Sequence, residues 1–376
     1  MSRWRRKKPC VLWNPEVPYN DLPLLPPAGD QESRAVLKAT VAARAALAGL
    51  DQAARLLPNP TVLLNAAMLL EAQASSEIEN IVTTADELFR YAVSEETANP
   101  ATREALRYRA ALYEGVTALR SRPLTIGTTE RVCSRIKDVN MSIRSIPGTR
   151  IANPATGQVV YAPPEGVDVI TEKLADWERF VHDDADDLDP LVRMAIAHYQ
   201  FEAIHPFHDG NGRTGRIVNI LLLVEAGLTA EPILYMSRYL SRHKNEYHRL
   251  LNAVTAEGAW QDWIRYMLAA VEQTARATLL KIDAFRAVQG ETGDRARAAT
   301  RGGRDAEFLN LLVEQPYTRI KTVVDRCRVS RPTATGWLGD LVAAGLLEEF
   351  RLGRERLFLN RRFLQVLLAD ELADAG

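Results

Sequence analysis

The run Gln158-Val159-Val160-Tyr161 is the only strand signal in the first three hundred residues of this chain, and that constrains the fold more than any other feature. Every other ordered stretch there reads as helix. Residues 34–57 are rich in Ala and Leu. Residues 61–76 place Leu63, Leu64, Ala67, Met68 and Leu70 at helical spacing. Further helices are expected over 84–93, 100–120, 128–137, 166–183, 190–204, 213–226, 237–256 and 261–287. The strand run sits in a Pro- and Gly-rich region, 139–167, and reads as a hairpin leaving through Pro163-Pro164. Residues 9–30 are Pro-rich and should run extended, with Trp13, Leu22, Leu24 and Leu25 packed on the helical body. Residues 288–304 hold four glycines and read as a linker or a frayed helix end.

Residues 205–216 concentrate the chemistry: His-Pro-Phe-His-Asp-Gly-Asn-Gly-Arg-Thr-Gly-Arg. Gly210, Asn211 and Gly212 can take the positive φ values that point successive backbone N–H groups into an anion nest. The apolar residues that follow, Ile217, Val218 and Ile220 among them, read as helix. The nest then lies at a helix N-terminus, where unpaired N–H groups and the dipole favour phosphate. Arg213 and Arg216, three apart, can reach one polyphosphate. Asp209 stands where a carboxylate can hold Mg²⁺ against phosphate oxygens. His205 is the candidate general base, since an imidazole with the ordinary pKa of about 6.5 is largely neutral at neutral pH. The set suits binding a Mg²⁺-nucleotide, deprotonating a hydroxyl and transferring part of the nucleotide. A second reading groups His205, His208 and Asp209 with His182 and His198 as the metal ligands of a hydrolase. It is disfavoured, and His208 is given no role.

The same residues resemble the core motif of Fic-domain proteins, His-Pro-Phe-x-Asp-Gly-Asn-Gly-Arg-x-x-Arg, at every specified position from His205 to Arg216. Phe201-Glu202-Ala203-Ile204 before it is also similar, and the resemblance spans about residues 10–285. It implies a Fic-type helical core with a β-hairpin flap, ATP as cosubstrate, Mg²⁺ as metal, and AMP transfer to a Ser, Thr or Tyr hydroxyl of a protein. The intact Asp209-Gly210-Asn211-Gly212 favours AMP over phosphate or phosphocholine. His205 is then catalytic, Asp209 serves metal and nucleotide, and Gly210, Asn211, Gly212, Arg213 and Arg216 bind nucleotide. Tyr247 and His248 fall where relatives often carry paired tyrosines near adenine; the histidine leaves that half open. Ser75, Glu79 and Asn80 fit an inhibitory-helix pattern, with Glu79 expected to pair with Arg216. Val159, Val160, Tyr161 and Ala162 fit a flap that adds a strand to the target segment. Plainer readings stand beside these: a helix end capped by Asn80, an ordinary hairpin edge, and an amphipathic face backed by Leu250 and Leu251.

Past the glycines, helices over 306–314, 320–326 and 332–345 precede strands at 346–350 and 355–359. That order resembles a winged helix-turn-helix. Arg319, Lys321, Arg326, Arg328, Arg331, Arg351, Arg354 and Arg356 offer a DNA-facing surface, with Thr333 beside Arg331 at the start of the would-be recognition helix. Asp325, Asp340, Glu348 and Glu349 balance them, so docking or dimerisation is preferred over DNA. The expected class is mainly α. Its parts are an extended segment 1–30, a helical catalytic region 31–287, a linker 288–304 and a winged-helix-like domain 305–376. A formal net charge of −1 excludes a global pull toward nucleic acid. No run approaches the ~20 apolar residues of a membrane span, and the basic start, Arg3 to Lys8, lacks the apolar stretch of a signal peptide. Cys10, Cys133 and Cys327 lie far apart and read as reduced thiols, hence a cytoplasmic expectation. A protein substrate is the expected partner and a homodimer stays open. Two rival functions also stay open: a nucleotide-sensing DNA-binding regulator, and removal of AMP from modified proteins by the same site.

Overall fold

Ser33, Thr84, Asn99 and Thr125 each accept a hydrogen bond from the first turn of the helix that follows, and so fix four helix starts. In this computed structural model the described residues are 13–372, apart from 58, 95–96, 154–155 and 184–186. The basic start, Cys10, Pro58, Pro154, Asp184 and Asp186 fall outside them. The first helices are α1 (Arg34–Arg55), α2 (Thr61–Ile78), α3 (Ala85–Val93), α4 (Pro100–Leu119) and α5 (Ile126–Lys137). An antiparallel hairpin follows, β1 (Ile151–Ala152) with β2 (Val159–Tyr161). Then come α6 (Val167–His182), α7 (Pro190–Ile204), α8 (Asn211–Glu225), α9 (Ser237–Arg242), α10 (Lys244–Glu257) and α11 (Trp260–Ala299). The structure is mainly helical, as expected. The single helix expected over 237–256 breaks at His243, whose ring stacks on Tyr239 at 4.1 Å.

Thirteen of the fifteen residues of α7 are buried, so this helix is the axis of the core rather than a surface element. Trp177 of α6 and Trp263 of α11 flank it, their indole N–H groups donating to Ala197 O at 2.9 Å and Ala195 O at 2.7 Å. The extended N-terminal segment lies on α6 and α7. Leu25 N–H donates to Asp176 at 2.7 Å, Lys173 to Leu22 O at 2.7 Å and Gln200 to Pro23 O at 2.8 Å. Leu22 and Leu25 are buried, but Leu24 is 45% exposed, so it does not pack as expected.

The expected linker at 288–304 is a correction. Residues 288–299 continue α11, and a 3-10 turn, Arg301–Arg304, follows. Val288, Thr292 and Ala296 recur every four residues and are all buried, so one continuous buried stripe carries the helix past Gly290 and Gly293. Beyond it lie α12 (Ala306–Glu314), β3 (Tyr317–Arg319), α13 (Ile320–Cys327), α14 (Arg331–Ala343), β4 (Glu348–Leu352), β5 (Glu355–Leu359) and α15 (Arg361–Leu372). The sheet runs β3-β5-β4, all antiparallel. The helices and hairpin of the expected winged module are present. β3 and α15 are additions; β3 is three residues long and is defined by its pairing to β5.

The module is docked, not tethered. Tyr317, Leu357, Leu359 and Phe363 share a core with Phe285 and Val288 of α11. The Tyr317 hydroxyl donates to Asp86 on α3, and the Arg90 guanidinium lies over the rings of Tyr317 and Phe350. A chain ending at residue 304 should therefore unfold at a lower temperature. Uncovering two or three large apolar side chains, each worth about 1.5–3 kcal/mol, corresponds to a midpoint roughly 5–10 °C lower. An unchanged calorimetric midpoint would mean that this docking contributes nothing.

Candidate active site

α7 ends in a left-handed turn at His205, φ 50° and ψ 60°, whose N–H closes on Phe201 O at 3.0 Å. Phe207 is buried beside Phe201 and anchors the loop. Asn211 clamps Phe207 on both sides, accepting from its N–H at 2.8 Å and donating to its carbonyl at 2.7 Å. α8 then starts at Asn211 with Gly210 as its N-cap at φ 82°. Three expectations change here. The helix starts two residues early, so of the three nest residues only Gly210 has positive φ. The Asn211 side chain is spent on the loop and not offered to a ligand. Gly212 is helical, and its lack of Cβ serves another need: a Cβ there would collide with Glu79 Oε1.

Glu79 reaches this point because α2 is tied down. Its buried Glu71 accepts from Tyr108 of α4 at 2.8 Å and from the Ser237 N–H of α9 at 2.9 Å. α2 ends at Ile78, Asn80 takes the left-handed conformation at φ 61°, and Ile81 N–H returns to Ser76 O at 3.0 Å. Lys244, at the start of α10, donates to the Ile78 carbonyl. Arg216, 2% exposed, donates to Ser75 Oγ at 2.8 Å, Ser75 O at 3.0 Å and Glu79 Oε1 at 2.8 Å. Asn80 ends the helix, as in the plain reading, and Glu79 beside it meets Arg216, the contact the resemblance implied. The Arg216, Arg213 and Lys244 charges hold the Glu79 carboxyl below its ordinary range, against the opposing effect of burial.

The other motif charges are committed within the chain. Arg213, equally enclosed, pairs with Glu104 of α4. Asp209 pairs with Lys137 of α5 at 2.6 Å and lies 3.8 Å from Arg213. Burial, aided by the Arg144 charge, pulls the His205 imidazole down to about 4, so it is neutral at neutral pH. Burial pushes Glu202, one helical turn before it, up to about 7.

A cavity of about 680 Å³ opens here. It gathers Glu79, Asn80, Val160, Tyr161, His205, Gly212, Arg216, Tyr247 and His248 from the expected set, and adds Glu202 and Lys244. Ser75, Val159, Ala162, Asp209, Gly210, Asn211 and Arg213 do not line it. Tyr247 is buried and its hydroxyl meets His198 Nε2 at 2.8 Å, whereas His248 stands on the rim. The expected four-residue flap edge is shorter. The Tyr161 hydroxyl donates to Ala203 O at 2.8 Å, and Ala162 O accepts from Tyr19 N–H at 2.9 Å, so both residues are used inside the chain. Val159 and Val160 stay half-buried at the edge. The alternative metal group does not assemble: His182 meets Leu124 O at 2.6 Å, and His198 stacks on Trp263. Among the described residues no cluster of three or more His, Cys, Asp or Glu is placed to hold a metal ion.

Sequence reasoning assigned no role to Arg144, Glu104, Lys137, Glu71, Glu202 or Lys244. Glu202 alone had a signal, its place in the run just before His205.

Comparison with known proteins agrees with this geometry. Residues 37–117 match the Fic/DOC family N-terminal model, 122–223 the Fic/DOC family model, and 290–363 the C-terminal domain of SoFic-like protein adenylyltransferase. A protein adenylyltransferase Fic of Nematostella vectensis is 33% identical over 116 residues, 31% of this chain and 25% of that one. Protein adenylyltransferase fic-1 of Caenorhabditis briggsae is 40% identical over 65 residues, 17% and 13% of the two chains. The chain thus spans a quarter or less of the length of these curated relatives. Among solved structures, a Fic family protein from Desulfovibrio desulfuricans superposes with a TM-score of 0.53 at 21% identity, over 89% of this chain and 98% of that one. Fic-1 from C. elegans gives 0.51 at 20% identity, over 66% and 74%. Successive family models, the shared helical fold and the loop built from His205 to Arg216 agree, and the chain belongs to the Fic/DOC family.

Proposed function

We propose that this chain transfers AMP from ATP to a Ser, Thr or Tyr hydroxyl of a protein, and that Glu79 restrains the reaction. The observation that carries the reading is that His205, at the end of α7, and the buried Arg216, in α8, line one cavity. An adenine nucleotide fits the cavity between Tyr247 and His248 on one side and the N-terminus of α8 on the other. A peptide paired with the free edge at Val159 and Val160 brings its hydroxyl to the imidazole. His205 takes the hydroxyl proton as the oxygen bonds to the α-phosphorus. The bond from that phosphorus to the bridging oxygen breaks, and pyrophosphate leaves.

Asp209 is the carboxylate suited to Mg²⁺, a metal that keeps phosphate and water ligands and needs only one or two carboxylates. Its present partner is Lys137, a cation in the same role of counter-charge. Bound there, Mg²⁺ would supply charge neutralisation to the phosphates. In the restrained state Glu79 holds Arg216 and places a negative charge where a terminal phosphate would lie. The names of the relatives support the AMP reading.

The winged module serves contacts with protein in this proposal. Arg319, Arg326 and Arg356 are each paired with an acid, Glu355, Glu307 with Glu314, and Glu349 respectively, which removes much of the expected basic face. Among the described residues no helix is long and apolar enough to cross a membrane. A cytoplasmic location, part of the proposal, rests on the scattered cysteines.

Incubation with α-labelled ATP and a lysate, then mass analysis of the labelled band, tests the function. An adenosine monophosphate adduct on a side-chain hydroxyl is expected; label carried from the γ-phosphate instead would overturn it. Asp209→Ala and Arg213→Ala should each weaken ATP binding about tenfold, the value of one charge-assisted contact near 1.5 kcal/mol. Titration with a fluorescent ATP analogue reads this. Affinity within twofold of the parent in both variants would remove the α8 N-terminus as the phosphate site.

A further inference from the structure

The proposed transfer needs the imidazole and the flap at a fixed separation, and α7 by itself does not provide it. His205 sits in the left-handed region, which residues with a Cβ rarely enter unless their surroundings impose it. Arg144, in the segment between α5 and β1, is 2% exposed and directed wholly at main chain. Its own N–H donates to Pro206 O at 2.9 Å, its Nε to His205 O at 2.8 Å and its Nη2 to Ile204 O at 3.3 Å. Three successive carbonyls across the left-handed turn thus end on one residue. Nη2 also donates to Pro164 O, at the exit of the flap hairpin. The Tyr161 hydroxyl on Ala203 O is a second tie between hairpin and α7.

We propose that Arg144 is a positioning residue that locks the turn at His205 and sets the flap at a fixed distance from it, so that a hydroxyl registered on the flap is delivered to the base. The inference rests on the AMP-transfer reading. The guanidinium fork matters because its separate N–H groups satisfy carbonyls from two chain segments at once; a single ammonium does this poorly.

Three charges act on the His205 ring, Arg144 from its segment, Glu79 from the end of α2 and Asp209 from the motif loop, and the Glu202 main chain adds a hydrogen bond. Burial is the main reason the imidazole stays neutral, and Arg144 adds to it.

The test compares the parent with Arg144→Met, Arg144→Lys and His205→Ala. Three quantities are read: labelling by ATP, affinity for a fluorescent ATP analogue, and titration of the His205 imidazole by NMR, assigned through His205→Ala. In Arg144→Met, labelling should fall roughly 10–100-fold through misplacement, with ATP affinity within about threefold of the parent. The His205 titration should move up by about one pH unit as the cation leaves and water enters. Arg144→Lys should keep the titration and recover only part of the labelling. Parent-level labelling in Arg144→Met, an unmoved titration, or ATP affinity falling in step with labelling would overturn the proposal. Should Arg144→Met fail to fold, Arg144→Lys decides: parent-level labelling overturns the fork, and slower labelling at unchanged ATP affinity supports it. A parent that never labels, with the titration shifting as expected, would sink AMP transfer and leave the positioning role standing.

Discussion

Glu79→Gly is expected to raise AMP labelling about tenfold over the parent. Arg216 is enclosed but the Glu79 side chain is 38% exposed, so their charge-assisted bond belongs at the low end of its range, about 1.5 kcal/mol. A factor of ten in the balance between restrained and productive nucleotide follows from roughly 1.4 kcal/mol. The substitution leaves the helix intact, because α2 ends at Ile78 and its termination depends on Asn80 and the Ile81 N–H. It also clears the space over Gly212, where the α8 N–H groups would meet phosphate. Arg216→Ala should not mimic it, since Arg216 also holds Ser75 and is itself the proposed phosphate ligand. The measurement is autolabelling with radioactive ATP under matched conditions. Equal or lower labelling in Glu79→Gly would reduce the Glu79–Arg216 contact to packing at a helix end.

His205→Ala should lower labelling by roughly 10²–10⁴-fold, the span of a lost general base, while ATP affinity stays near the parent value. The pH profile carries the second half of this prediction. Burial disfavours imidazolium, so the proton leaves His205 near pH 4 and the base is available above it. Parent labelling should therefore persist at pH 5.5, where an ordinary imidazole of pKa about 6.5 would be mostly protonated and inactive. The gain in Glu79→Gly should vanish in the Glu79→Gly, His205→Ala pair. A parent rate that collapses between pH 7 and 6 would give His205 an ordinary imidazole titration, contrary to the lowering that its surroundings impose.

Helix starts were legible because their causes are local. Ser33, Thr84 and Asn99 precede their helices directly, and Pro100 and Pro190 sit in first turns, whereas α5, capped by Thr125, starts two residues before the expected 128. The strand signal at 158–161 was legible for the same reason, as a run of β-prone side chains needs no distant partner to be read. The linker failed because glycine content was weighed above the Val288, Thr292, Ala296 stripe, and an apolar face packed against the module outweighs the propensity cost of two glycines. β3 was invisible because three residues carry no period; its partner β5 lies forty residues on.

Within the candidate site, residues 205–216 announced the chemistry, since a glycine turn, two arginines and a histidine within one helix start need no distant partner to be read. What each does was decided elsewhere in the chain. Asn211 and Gly212 looked alike as nest residues, yet one clamps Phe207 and the other makes room for Glu79. Arg216 was expected to meet Glu79 and does, with Ser75 added by α2, whereas nothing local announced that α4 would supply Glu104 to Arg213. Arg144 gave no local sign, because its partners are carbonyls twenty to sixty-two residues away.

By itself, then, the amino-acid order determined the helical class, most helix starts, the hairpin and the chemical identity of the loop, all products of contacts within about four residues. Apart from the Glu79–Arg216 pair, which the motif resemblance implied, only the tertiary structure decided which charge meets which. It brought Arg213 to Glu104 across 109 positions and Tyr317 to Asp86 across 231, and it drew the His205 imidazole down to about 4, so that it stays neutral in mild acid as well. Such pairings depend on how helices pack and what water they exclude, and no local period records either.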